Sequence, residues 1–178
     1  MIELDIRKDI RKAEKQLDAH ARKHIPKAAQ LAINRATTKT RTAARRKVAK
    51  VMNIPQKRIK DSFPIKKASR NSLIATIRGV GRPIKLIYFN GTRQLKKGVK
   101  SAAYNVRRIY RGTFITTVGA GHRGAFRRKG DPRLPIKELY GPSVPSGMED
   151  KAVQDEMQKI AKPTFLKEFK RQLKRFIK

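Results

Sequence analysis

Between residues 19 and 130 the chain carries 30 Lys and Arg and one acid, Asp61. No fold of that stretch can pair its own cations. They must be spread over surfaces that face solvent or an anionic partner, and such a partner relieves the self-repulsion of the compact state. The flanks differ: residues 1–18 hold five bases and five acids, and residues 131–178 hold 11 bases and seven acids. The net charge of +33 on 178 residues is far above the roughly 2–8 units that keep a small domain soluble. A basic tail without structure shows no apolar periodicity, whereas this segment carries both helix and strand patterns, so it reads as folded. The length suits a single domain, 1–178. A domain of about 150 residues buries roughly 68–70% of its unfolded surface, so a core is available.

Several classes fall away. There is no cysteine, which excludes disulfide scaffolds, thiolate zinc sites and Cys nucleophiles. No apolar run approaches the roughly 18 residues that mark a membrane span, so no membrane partner is expected. The start, Met1-Ile2-Glu3-Leu4-Asp5, has acids where a signal peptide carries positive charge. The expectation is a protein kept in a cytoplasm or packaged into something assembled there.

Ile2, Leu4 and Ile6 alternate as in a short strand, and Ile6, Ile10, Ala13, Leu17 and Ala21 then step as in a helix. Pro26 suits the first turn of a new helix. Its stripe runs through Ala29, Ala32, Ile33, Ala36, Thr40, Ala43, Ala44, Val48 and Val51, all small enough for close approach to a neighbour. Asn53, ahead of Pro55, reads as the cap of a short helical turn reaching Ser62. Leu73–Ile77 and Ile84–Phe89, separated by Gly79, Gly81 and Pro83, read as a hairpin. Val99–Tyr104 and Val106–Tyr110 are weaker strands. Thr113–Val118 is rich in β-branched residues, and Ala125–Arg128 pairs back to it across a glycine turn. Residues 130–147 read as loop, with four prolines. Helix returns through Val153, Met157 and Ile160, and again after Pro163 through Phe165, Leu166, Phe169, Leu173 and Phe176. The expected fold is α+β: a basic helical part (1–62), a β-rich core (63–130) with one small antiparallel sheet at about 65–128, a proline-rich loop (131–147) and C-terminal helices (148–178).

Gly119-Ala120-Gly121-His122-Arg123-Gly124 matches a dinucleotide fingerprint, but that mechanism needs a helix to begin there. Ala125–Pro132 is too short and too interrupted by glycine and proline, so a plain turn is expected. His20 and His24 share the i, i+4 spacing of a zinc helix, yet the glutamate that would act as base is missing and no third ligand is marked. No catalytic residue, metal or cofactor is indicated. Lys and Arg on a fixed scaffold bind phosphates without regard to sequence. Aromatic residues are only 6%, which does not suit base stacking. Candidates for contact with an anionic partner, DNA or acidic protein, are Arg35, Lys39, Arg41, Arg45, Arg46, Lys47 and Lys50 on the long helix. A second group is Arg107, Arg108, Arg123, Arg127, Arg128 and Lys129.

The stretch Gly121-His122-Arg123-Gly124-Ala125-Phe126-Arg127-Arg128-Lys129-Gly130, followed by Arg133-Leu134-Pro135-Ile136-Lys137-Glu138-Leu139-Tyr140-Gly141-Pro142-Ser143-Val144-Pro145, resembles the prophage minor tail protein Z family of long-tailed bacteriophages. Gly98-Val99, Gly112-Thr113-Phe114-Ile115 and the basic helix ending near Ile54 fit it in order and spacing. The resemblance implies a non-enzymatic virion protein that completes the tail at its head-proximal end, joins it to the head and helps to place the DNA end. It also implies a ring of copies, most simply six, assembled in the host cytoplasm. Neighbours would be terminator, tube, tape-measure or connector proteins, and genomic DNA. Leu134, Pro135, Ile136, Leu139, Tyr140, Gly141, Pro142, Val144 and Pro145 are the expected contacts between subunits or rings. The alternative from composition is a ribosomal or other sequence-nonspecific RNA- or DNA-binding protein.

Overall fold

The computed structural model describes residues 24–176. The strand at Ile2–Ile6, the helix to Ala21 and His20 lie outside the described residues. The architecture is α+β, in the order α1 (Ile25–Met52), β1 (Ile65–Lys66), β2 (Thr76–Ile77), β3 (Arg93–Leu95), β4 (Gly98–Ser101), β5 (Arg108–Arg111), β6 (Thr113–Val118), β7 (His122–Arg128), β8 (Ile136–Glu138), α2 (Val144–Met148) and α3 (Lys151–Phe176). It divides into two compact units: residues 24–44, 63–78 and 151–176 of the described chain, and residues 45–62 and 79–150.

In the first unit the small stripe of α1 is the core wall. Ile25, Ala28, Ala29, Ala32, Ile33 and Ala36 are buried with Ala68, Phe165 and Phe169. Alanines every third or fourth residue let the two aromatic rings approach, and those rings stack 5.4 Å apart. Asn34 holds the intervening segment: its Nδ2 donates to the Ala68 carbonyl at 3.0 Å and its Oδ1 accepts from the Ala68 amide at 2.8 Å. That segment pairs β1 with β2, Ile65 opposite Ile77. The expected break at Pro163 does not occur, since α3 runs through it. Val153, Met157, Phe165 and Phe169 are all buried at spacings that keep one apolar face, and that packing outweighs the hydrogen bond proline removes.

In the second unit α1 ends at a Schellman turn. The Ile54 amide donates to the Ala49 carbonyl at 2.9 Å and the Asn53 amide to Lys50 at 3.3 Å. Asn53 has φ of 58°, so it closes the long helix rather than capping the next turn. The short helical turn, Gln56–Ile59, follows Pro55 without a side-chain cap. Instead of one sheet, this unit holds two three-stranded antiparallel sheets, β3-β4-β5 and β6-β7-β8. The Val99 and Val106 strands are present as β4 and β5, and Thr113–Val118 pairs with β7 in the expected place.

Two further expectations are overturned. The Leu73–Ile77 and Ile84–Phe89 hairpin does not form, because β2 pairs with β1 and Leu86–Tyr88 is a 3₁₀ turn. Leu86 and Phe89 are the buried pair there, three residues apart, which is helical rather than strand spacing. The 130–147 loop is in part structured. Ile136–Glu138 is a strand on β7, and Val144–Met148 is a helical turn.

Candidate functional site

The first-unit half of α1 presents Arg35 and Lys39, one turn apart and exposed, and Arg41, also exposed. Arg35 Nε is 3.8 Å from Glu168 Oε1. Arg171 Nη2 lies 2.6 Å from Glu168 Oε2, although that oxygen has no aligned hydrogen bond. The second-unit half presents Arg46 and Lys50, again one turn apart and exposed, while Arg45 and Lys47 are half-buried. The buried Nε of Arg45 has no hydrogen-bond partner among the described residues. Helical periodicity therefore separates the candidates. Arg46 and Lys50 are available to an outside anion, and Arg45 and Lys47 are partly committed to the unit.

The other cations sit on sheets. Arg107 and Arg108 are exposed at β5, an edge strand. Arg123, Arg127, Arg128 and Lys129 are exposed along and beyond β7. Gly119, Ala120 and Gly121 close the β6–β7 hairpin, whose last pair is Val118 opposite His122. A strand, not a helix, follows that turn, so the fingerprint lacks the helix N-terminus its chemistry requires.

The long signature is stitched into its unit. Leu139 donates to the Ala125 carbonyl at 2.8 Å, Leu86 to Leu139 at 3.0 Å, Gly141 to Ile84 at 2.7 Å and Ile84 to Pro142 at 3.2 Å. A side chain on Gly141 would meet the Phe89 ring at 2.5 Å, and one on Gly124 would meet Glu138 Oε1 at 2.5 Å. Val144 is 1% exposed, and Ile136, Leu139, Gly141, Pro142 and Pro145 are half-buried. Leu134, Pro135 and Tyr140 are exposed.

Sequence reasoning missed a polar cluster at the base of this hairpin. Glu138 Oε1 is 2.9 Å from His122 Nε2, Glu138 Oε2 accepts from the Tyr140 hydroxyl at 2.9 Å, and Lys85 Nζ is 3.5 Å from Oε2. Lys85 Nζ is also 3.2 Å from His122 Nδ1. Lys85 Nζ also lies 3.0 Å from His122 Nε2. With its proton on Nε2 the imidazole donates to Glu138, and Nδ1 is the ring nitrogen left to accept from Lys85. Burial disfavours the Glu138 charge, but bonds from Tyr140 and His122 and the nearby Lys85 charge more than compensate, so its pKa lies below the usual carboxylate value. The Tyr140 hydroxyl is held above the usual phenol value by its bond to Glu138, with burial adding to it. The cluster latches the segment before the 3₁₀ turn to β7 and β8. Its signal in the sequence was Glu138 itself, one of only two acids between residues 62 and 148.

The geometry presents a basic α+β scaffold whose signature residues serve packing and latching. The chain belongs to the prophage minor tail protein Z (GPZ) family, which it matches over residues 8–178. It is similar to a protein named tail completion protein from Escherichia phage N15, 28% identical over 142 residues, covering 76% of this chain and 77% of that one. No solved structure matches it. It is thus a structural component of a phage tail.

Proposed function

We propose that the chain is a tail completion protein of the head-proximal end, in which copies form a ring, most simply six, that joins tail to head and positions the DNA end. The carrying observation is the family match along nearly the whole chain, together with a relative of similar extent named for tail completion. The charge supports a place beside an anion: Arg41, Arg46 and Lys50 on α1 and the β7 cations are exposed, with 30 bases against one acid behind them. A ring multiplies that field in its lumen. Tyr140 is the apolar group we assign to contact with a neighbouring copy or layer, since it is 52% exposed while most of its motif is turned inward. Assembly takes place in the host cytoplasm, against terminator, tube, tape-measure or connector proteins.

Cryo-electron microscopy of the neck of the intact particle tests the reading. The expected result is a ring of this chain atop the tail, with an anionic surface within about a Debye length, roughly 8 Å at physiological salt, of Arg46 and Lys50. Absence of the chain from the particle, with co-purification on ribosomes, would replace this reading by the RNA-binding one. Charge reversal at Arg41, Arg46 and Lys50 should block head–tail joining, and normal joining would remove α1 from the proposed contact.

A further inference from the structure

The β7–β8 ladder ends with the Lys129 amide donating to the Pro135 carbonyl at 3.1 Å, leaving residues 130–134 as its loop. Residues 127–135 are all exposed. Residues 127–137 contain Arg127, Arg128, Lys129, Arg133 and Lys137 against one acid, Asp131. Arg127 and Lys137 stand opposite each other in register, and like charges so placed weaken a sheet. Among the described residues neither is in a salt bridge, and Arg127 reaches only the Arg111 carbonyl, at 3.3 Å. Alternation puts Arg128 on the other side of the ribbon, its guanidinium 5.6 Å from the Phe114 ring centre. The base is neutralised by the Glu138 latch, and the tip keeps its charge. At that tip Leu134 is 67% exposed, the highest among the exposed large hydrophobics of the described residues.

Cations on both sides of a ribbon need anions on both sides. A flat acidic protein surface offers them on one. A groove of duplex DNA offers two walls of phosphate, and the major groove of B-form DNA is wide enough for a two-stranded ribbon. An apolar side chain entering that groove can also contact the thymine methyl on the base edges. We propose that the β7–β8 hairpin is a duplex-DNA-binding arm, with Arg127 and Lys137 on one groove wall, Arg128 on the other, Lys129 and Arg133 on phosphates at the tip, and Leu134 against the bases. This rests on the tail-completion reading for its setting and names the anion that the charge meets.

The test uses the full chain and a mixed-sequence duplex of about 30 bp, with affinity measured from about 50 to 300 mM salt. Each lost phosphate contact lowers the log–log salt slope by about 0.9. Lys129→Ala with Arg133→Ala should therefore lower it by about 1.8. Lys96→Ala with Lys97→Ala, in the exposed β3–β4 turn, removes the same charge and should change it by less than half as much. Lys129→Arg with Arg133→Lys should keep the wild-type slope, and an alanine double mutant with the wild-type Tm excludes a folding defect. Leu134→Ser should weaken binding several-fold at an unchanged slope. An arm double mutant that binds with wild-type slope and affinity overturns the proposal, as does a wild-type chain that does not bind duplex. The same arm mutant binding DNA normally yet failing to join heads to tails would assign the arm to a protein partner and also overturn it. The tail-completion reading fails separately, if wild-type protein is missing from assembled tails.

Discussion

Gly141 packs its bare α-carbon against Phe89, which is 2% exposed. Gly141→Ala should destabilise the second unit by about 1–3 kcal/mol, the usual range for overpacking, and a thermal melt at an unchanged Tm would remove this account of the position. The Glu138 latch makes a pH prediction. A carboxylate with a lowered folded pKa contributes stability above its unfolded pKa and loses it as pH falls through the folded value. The loss therefore sets in below about pH 4, under the ordinary glutamate value. Tyr140 has the opposite sign: its raised pKa contributes stability below about pH 10 that disappears as pH rises through the folded value. Tyr140→Phe removes one donor to Glu138, so the Glu138 titration should move toward the ordinary range. Carboxyl NMR shifts read this directly, and an unmoved titration would show that the hydroxyl does not hold the charge.

Helix α1 ends where Asn53 takes a left-handed conformation and donates to the Ala102 carbonyl at 2.9 Å. Asn53→Ala loses both the tolerance for that backbone and the bond, about 2 kcal/mol together. Asn53→Gly keeps the backbone and loses only the side-chain bonds, to Ala102 and to Asn90, so it should lie roughly halfway between in urea midpoint. If the two variants were equal, the side-chain bond alone would explain the site. The same residue shows why element ends are hard to read: Asn two residues ahead of Pro fits a helix start as well as a helix stop. Ile84–Phe89 carries a related ambiguity. A short apolar run has no decisive period, and burial of Leu86 and Phe89 is a fact of packing.

Over the full chain, +33 of net charge opposes compaction in every fold it can adopt. Raising salt from about 0.01 to 0.1 M shortens the screening length from roughly 30 to 10 Å, so Tm should rise by several degrees. A flat or falling Tm would mean that the cations are already neutralised locally. The uneven charge, the long helices and the β6–β7 hairpin were legible from the chain, because periodicity and the absence of acids are local properties. The signature at 121–145 identified the family as a pattern, without revealing what its residues do.

Charge, helix periodicity and β-branched runs are written residue by residue, so the amino-acid order fixes them and with them the α+β class. The division into two units, the three separate sheets and the meeting of Lys85 with His122 and Glu138 arise from pairing between distant segments. Those 37 and 16 residues of separation carry no periodic signal. Nor did the order of residues reveal which cations stay exposed. Arg45 and Arg46 are neighbours in sequence, yet only Arg46 is exposed, because one helical step of rotation turns the first toward its own unit.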